Sequence, residues 1–313
     1  MDVATSENTI KESIAQIYIQ ILYAAESVRV NENTLQVSIA QRDRGQELLN
    51  AGSIAKSDFA QLEAQVSTDR YQLVTAQATL QDYKLQLKQL LELDGENEMN
   101  VYLPKLSDEN VLAPLPAKKD VYVSALAIRP EIEASKLNVE ASELGIDIAK
   151  SSYFPTISLS AGIGTNHTSG SDFTFGEQVK NGWNNSIGLS VSVPIFNNRQ
   201  TKSAVQKAKL QRETDMLSLL DEQKALYKTI ESLWLDANSA QQRYAAANEK
   251  LRSTQISYDL ISEQFNLGMK NTVELLTEKN NLLQAQQEQL QAKYMAILNT
   301  QLLKFYQGDK LTL

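Results

Sequence analysis

Pro155-Thr-Ile-Ser-Leu-Ser-Ala-Gly-Ile-Gly-Thr165 alternates without a break. Ile157, Leu159, Ala161 and Ile163 fall on one face, and Ser158, Ser160, Gly162 and Gly164 on the other. Asn184 to Val193 repeats the pattern, with Ile187, Leu189, Val191 and Val193 opposite Ser186, Gly188, Ser190 and Ser192. Period-two alternation predicts two strands, each with one apolar face. Each run has the length of a tilted membrane β-strand, ~9–11 residues. The opposite face is wholly small and polar, as a water-filled lumen requires. Tyr153, Phe154, Trp183 and Phe196 stand at the strand ends, where an aromatic girdle would lie, and Asn166 to Gly182 reads as a polar loop. A hairpin on a soluble sheet shows the same alternation, so the flanking sequence has to decide.

Outward from the strands, Pro and Gly become scarce. Ile10 to Leu93 contains no Pro, and its glycines are Gly45 and Gly52; Asn197 to Gln307 contains no Pro, and Gly268 is its one glycine. Both tracts are rich in Ala, Leu, Gln, Glu and Lys, the strong helix formers. A glycine after an apolar-periodic run is a helix-stop signal, because it adopts the left-handed conformation without Cβ strain. Each tract is therefore expected to be a helical hairpin turning at Gly52 or Gly268; an uninterrupted coiled coil that tolerates the glycine is the other reading. From about Arg199 to Phe265 a single helix would be ~100 Å long at ~1.5 Å per residue. Helices of that length must pack lengthwise against one another. Offset by 216 residues, Gly52 falls on Gly268, Asp58 on Glu274 and Leu35 on Leu251, which reads as an internal duplication of the hairpin. Between the tracts, Gly95 to Lys119 carries Pro104, Pro114 and Pro116 and reads as a connector. Short helices are expected at Asp120 to Ile128 and from Pro130, favoured in a first helical turn, to about Ser151.

Composition removes several classes of function. The chain has 313 residues, a net charge of -8 and no Cys, so thiol chemistry and disulfides are absent. Acidic balance and dispersed Lys and Arg disfavour a nucleic-acid groove. Mean hydropathy is -0.33, and no run approaches the ~18 apolar residues of a spanning helix. His167, the single histidine, lies in a Gly/Ser-rich stretch and is assigned no metal or catalytic role. No nucleophile elbow, phosphate loop, dinucleotide fingerprint or zinc-protease motif occurs. The sequence therefore points to no enzyme, no cofactor and no metal site.

Arg129-Pro130-Glu131-Ile132, a helix, Pro155 ahead of an alternating strand, and the returning Ser192-Val193-Pro194-Ile195-Phe196-Asn197 resemble the second repeat of the TolC-like outer membrane efflux proteins. A very long helix, Phe265-Asn266-Leu267-Gly268 and Glu274-Leu275-Leu276 extend the resemblance over nearly the whole chain. It implies a mainly α protein of long antiparallel helical hairpins, forming a coiled-coil-like α-barrel, with one transmembrane β-hairpin contributing to a trimeric β-barrel. On this reading residues 7–94 are the first-repeat periplasmic hairpin and 95–128 an equatorial connector. Residues 129–313 are the second repeat: helix 130–151, strands 155–165 and 184–194, and hairpin 199–306. In the family three protomers close a twelve-stranded barrel over a twelve-helix tunnel. The first copy here holds only its hairpin. The repeat arithmetic puts about 90 residues of helix and strands ahead of Met1, so a piece truncated at its N-terminus is expected. Two strands per protomer would give six per trimer, below the smallest usual barrel of ~8.

The resemblance also implies function: a passive exit duct of a tripartite efflux or type I secretion system in the bacterial outer membrane, reaching into the periplasm. Its partners would be two further copies of the chain, outer membrane lipid, a periplasmic adaptor and an inner membrane pump. Ala51, Gly52, Ser53, Leu267, Gly268 and Met269 match the hairpin tips that meet the adaptor. Asp58, Lys270, Glu274 and Thr277 match the periplasmic gate, where converging carboxylates would repel anions and bind cations. Thr277 stands where the family has a second acid, and Lys270 is the candidate for a polar latch between neighbouring helices. Ile157, Leu159, Ile163, Ile187, Leu189 and Val191 would face lipid. A soluble coiled-coil scaffold without transport activity is the alternative, and the small polar strand faces, which such a scaffold has no use for, separate the two.

Overall fold

The computed structural model describes residues 2–93, 100–104 and 111–311. Its elements, in chain order, are α1 (Asp2–Asn50), α2 (Lys56–Leu90), α3 (Lys118–Ile128), α4 (Pro130–Ser151), β1 (Thr156–Gly164), α5 (Phe175–Asn181), β2 (Asn184–Ser192), α6 (Gln200–Asn266) and α7 (Thr272–Gln307). Residues 94–99 and 105–110, on which the end of the first hairpin and much of the connector fall, lie outside the described residues. Among the described residues no helix is long and apolar enough to cross a membrane.

The offset of 216 residues carries Asn50 onto Asn266 and Lys56 onto Thr272, and these are the helix ends observed on either side of the two turns. Two sequence expectations change. The segment between the strands is not all loop, because α5 forms there. Thr174 starts it: its backbone N–H donates to the Glu177 carboxylate at 2.9 Å and its hydroxyl to the same oxygen at 2.7 Å. This reciprocal cap nucleates a turn that composition alone conceals. The helix before Arg129 begins at Lys118, two residues ahead of Asp120.

The chain divides into two compact units, residues 1–133 with 223–313, and residues 134–222. They cut across the sequence-read repeats because contacts follow helices lying side by side, and α6 belongs in part to each. In the first unit, α1 and α7 share a core of Ala15, Ile19 and Leu22 against Leu290, Tyr294, Leu298 and Leu302. Spacings of three and four place each set on one helix face. A second cluster joins all four long helices near the turns: Leu48, Leu62, Tyr258, Phe265, Leu275 and Leu282. In the same unit Val111 packs among Ala240, Tyr244, Ala292 and Ala296. Gln241 donates to the Val111 and Ala113 carbonyls at 2.9 and 2.8 Å, and Trp234 to that of Pro116 at 3.1 Å, so the end of the connector is tied to α6.

Arg129 belongs to the first unit as well. Its guanidinium is buried, donates to Glu12 at 2.9 Å and lies 3.6 Å from the centre of the Tyr306 ring. The start of α1, the α3–α4 junction and the end of α7 meet on this one side chain. Burial, with Glu12 nearby, pushes the Tyr306 phenol up to about 12, so the ring remains neutral beneath the cation.

The second unit holds the β1–β2 pair, antiparallel in a two-stranded sheet. Ile157 is opposite Val191, Leu159 opposite Leu189 and Ala161 opposite Ile187; Ser158 is opposite Ser190, Ser160 opposite Gly188 and Gly162 opposite Ser186. Cross-strand partners share a face. The pairing therefore merges the two alternating patterns into one apolar and one small polar surface.

Candidate functional site

The two helical turns are built alike. After α1, Gly52 has φ +73°, its N–H donates to Leu49 at 3.0 Å, and Ser53 N–H reaches back to Leu48 at 2.8 Å. After α6, Gly268 has φ +74°, its N–H donates to Phe265 at 2.9 Å, and Met269 N–H to Gln264 at 2.8 Å. The paired bonds, one spanning five residues and one three, close each helix around a left-handed residue. Ala51, Gly52, Ser53, Leu267, Gly268 and Met269 are all exposed, and a Cβ built on either turn glycine meets nothing within 4 Å. The second tip presents Leu267 and Met269, 67% and 74% exposed, as a small apolar surface.

The four gate candidates lie just beyond. Asp58 accepts the Ala55 N–H at 3.2 Å and thereby caps α2. Glu274 caps α7: its carboxylate accepts the Asn271 N–H at 3.2 Å, while its own N–H donates to the Asn271 side chain at 2.9 Å. Lys270 pairs with Glu274 at 2.6 Å, one turn away on its own segment rather than on a neighbouring helix. That hydrogen bond, with the Asn271 N–H, holds the Glu274 carboxyl below its ordinary 4.5. Thr277 is exposed and donates to the Val273 carbonyl at 2.8 Å. Each acid is thus already engaged at a helix N-terminus, where negative charge is favoured.

The side chains that do join the two hairpins are others. Arg44 on α1 donates to the Asn266 carbonyl at 3.1 Å, and Gln41 to the Tyr258 hydroxyl at 2.8 Å. Further from the turns, Lys279 of α7 meets both Asp69 of α2 and Ser38 of α1, and all three are buried. Sequence reading passed over them, yet a signal existed: Asp69 continues the stripe Leu62–Val66, and Lys279 stands between Leu275 and Leu282. A charge on a buried apolar stripe has to be paired.

The strand face named for lipid is open to solvent in the single chain. Ile157, Leu159, Ile163, Ile187, Leu189 and Val191 are between 59% and 84% exposed. On the other face Ser160 bonds to the Gly188 carbonyl at 3.3 Å, and a Cβ at Gly188 would lie 2.9 Å from that hydroxyl. Ser160 thus lies over Gly188, and Ser186 over Gly162, which keeps the surface thin at these pairs.

Comparison with known proteins bears on family and fold. The model of the family described as outer membrane efflux protein matches residues 121–308. The chain is similar to outer membrane efflux protein BepC of Brucella suis, 26% identical over 294 residues, which cover 93% of this chain and 61% of that protein. It is also similar to outer membrane protein TolC of Escherichia coli, 25% identical over 308 residues, covering 94% and 60%. Among solved structures, CusC superposes with a TM-score of 0.81 at 18% identity, covering 98% of this chain and 70% of that one. For the outer-membrane channel OprN the TM-score is 0.79 at 18% identity, covering 98% and 67%. The chain spans about three-fifths of the length of these curated relatives.

Proposed function

The chain belongs to the outer membrane efflux protein family, and from that premise we propose that it forms part of a trimeric exit duct. The family is one of outer membrane channels whose helices extend into the periplasm, and not of enzymes. The duct would serve an efflux or type I secretion system, passing cargo delivered by an inner membrane pump through a periplasmic adaptor. The observation that supports this reading most is the strand pair. Its long apolar face is bare in the single chain, and a face of that kind is stable only against lipid or protein. A two-stranded ribbon is also marginal alone and calls for neighbouring strands at both edges. The small polar face would then line the lumen.

Ala51, Gly52, Ser53, Leu267, Gly268 and Met269 are proposed as the adaptor contacts, on the strength of their exposure and the open space around both glycines. Asp58, Lys270, Glu274 and Thr277 are proposed to ring the periplasmic entrance. With Lys270 on Glu274, the ring would alternate in sign and select cations weakly. Reconstitution of the full-length protein in planar bilayers tests the proposal. Detergent-dependent trimers with discrete conductance steps are expected. A water-soluble, non-conducting species that needs no detergent would instead assign the chain to a coiled-coil scaffold.

A further inference from the structure

The Ser38–Asp69–Lys279 cluster is the most deeply buried set of charges among the described residues: Asp69 is 1% exposed, Ser38 2% and Lys279 3%. It draws one residue from each of α1, α2 and α7. Asp69 is fully engaged, accepting from Lys279 and Ser38 on one oxygen and from Gln65 at 2.9 Å on the other. On the same helix faces buried apolar residues recur, Leu62 and Val66 on α2 and Leu275 and Leu282 on α7. Leucine stripes of this kind tolerate a slip of one helical turn, since one branched side chain replaces another. The charges do not. Moving α7 by a turn, ~5.4 Å, would set Lys279 among apolar side chains and leave Asp69 buried without its cation. Such groups add little net stability over an apolar pair, and their best-attested use is to specify register.

We propose that Ser38, Asp69 and Lys279 form a buried register pin, which fixes α7 axially on the α1–α2 hairpin and so sets the relative heights of Gly52 and Gly268. Two tips held at a fixed offset present one composite surface instead of two independent ones. That consequence for adaptor docking rests on the duct reading; the pin itself does not.

Because the chain has no Cys, spin labels can be placed without background. Ala60→Cys on α2 and Val273→Cys on α7, both exposed, report the offset by electron–electron distance measurement. The otherwise unaltered chain should give one narrow distance, and Lys279→Arg should keep it. The double change Asp69→Leu with Lys279→Met should leave Tm unchanged or raised, yet split the distance into populations about one turn, ~5.4 Å, apart. Lys279→Met alone should lower Tm and broaden the distribution. A double variant that keeps the single narrow distance overturns the pin. So does one that no longer folds, because the pair would then supply stability rather than register. The distances judge the pin whether or not the chain conducts, and bilayer recordings judge the duct whether or not the distances move.

Discussion

Glu274 shows what one carboxylate does before any partner arrives: it caps α7 and binds Lys270. Its pKa is lowered, first by the Lys270 hydrogen bond, so its contribution is complete above the ordinary 4.5 and is lost as the pH falls through the lower folded value. Amide exchange in the first turn of α7, corrected for intrinsic rates, should therefore accelerate on acidification below about 4.5. In Glu274→Gln it should be faster already at neutral pH and insensitive to acid. Equal profiles in both proteins would deny the cap. Glycine offers a second residue-scale test. Gly45 is inside α1, where a Cβ would come within 2.3 Å of buried Leu62, whereas a Cβ on Gly145 in α4 meets nothing. Gly145→Ala should stabilise by up to ~1 kcal/mol through helix propensity. Gly45→Ala gains the same propensity but overpacks, at about 1–3 kcal/mol, and should lower Tm. Thermal melts of the two variants side by side decide it.

At the scale of the element, the strands tie sequence to environment most directly. Leu189 and Ser190 are neighbours in β2 and point to opposite faces, one paired with Leu159 and the other with Ser158. In the full-length protein Leu189→Arg should impair membrane assembly by ~2–4 kcal/mol if the position lies at mid-bilayer. Ser190→Arg should assemble and change conductance. Heat-modifiable mobility and single-channel recording measure the two effects, and equal behaviour would contradict a barrel. This face was legible because period-two alternation shows directly which side chains lie together. The turns were legible because Gly52 and Gly268 are rare breaks in long helix-forming tracts. Helix α5 was not, since it depends on a local reciprocal cap rather than on periodicity. The candidate gate acids were named by resemblance, which could not show that Asp58 and Glu274 cap helices, a role set by side-chain rotamers. Lys279 and Asp69 were readable only as violations of an apolar stripe, a pattern that gains meaning once the facing helix is known.

For the whole molecule, the open question is what the turns meet, and the free space around them makes it answerable. At φ +74° a side chain on Gly268 costs about 1–2 kcal/mol in backbone strain, and a Cβ there meets nothing within 4 Å. The cluster of Leu48, Leu62, Phe265 and Leu275 behind the turn is buried and does not include the glycine. Gly268→Trp should therefore leave folding, trimer formation and bilayer conductance close to those of the unaltered protein. If a periplasmic adaptor seats on this tip, the indole occupies the space the partner needs, and export in cells should fail although the trimer is present in the membrane. Gly52→Trp should behave in the same way. Gly145→Trp, away from both turns, controls for added bulk on a helix and should export normally if its face meets no neighbouring protomer. Membrane fractionation and a cargo-export assay on the same cells separate the outcomes: normal export by Gly268→Trp rules out adaptor contact at that turn and leaves Gly268 as a helix cap alone.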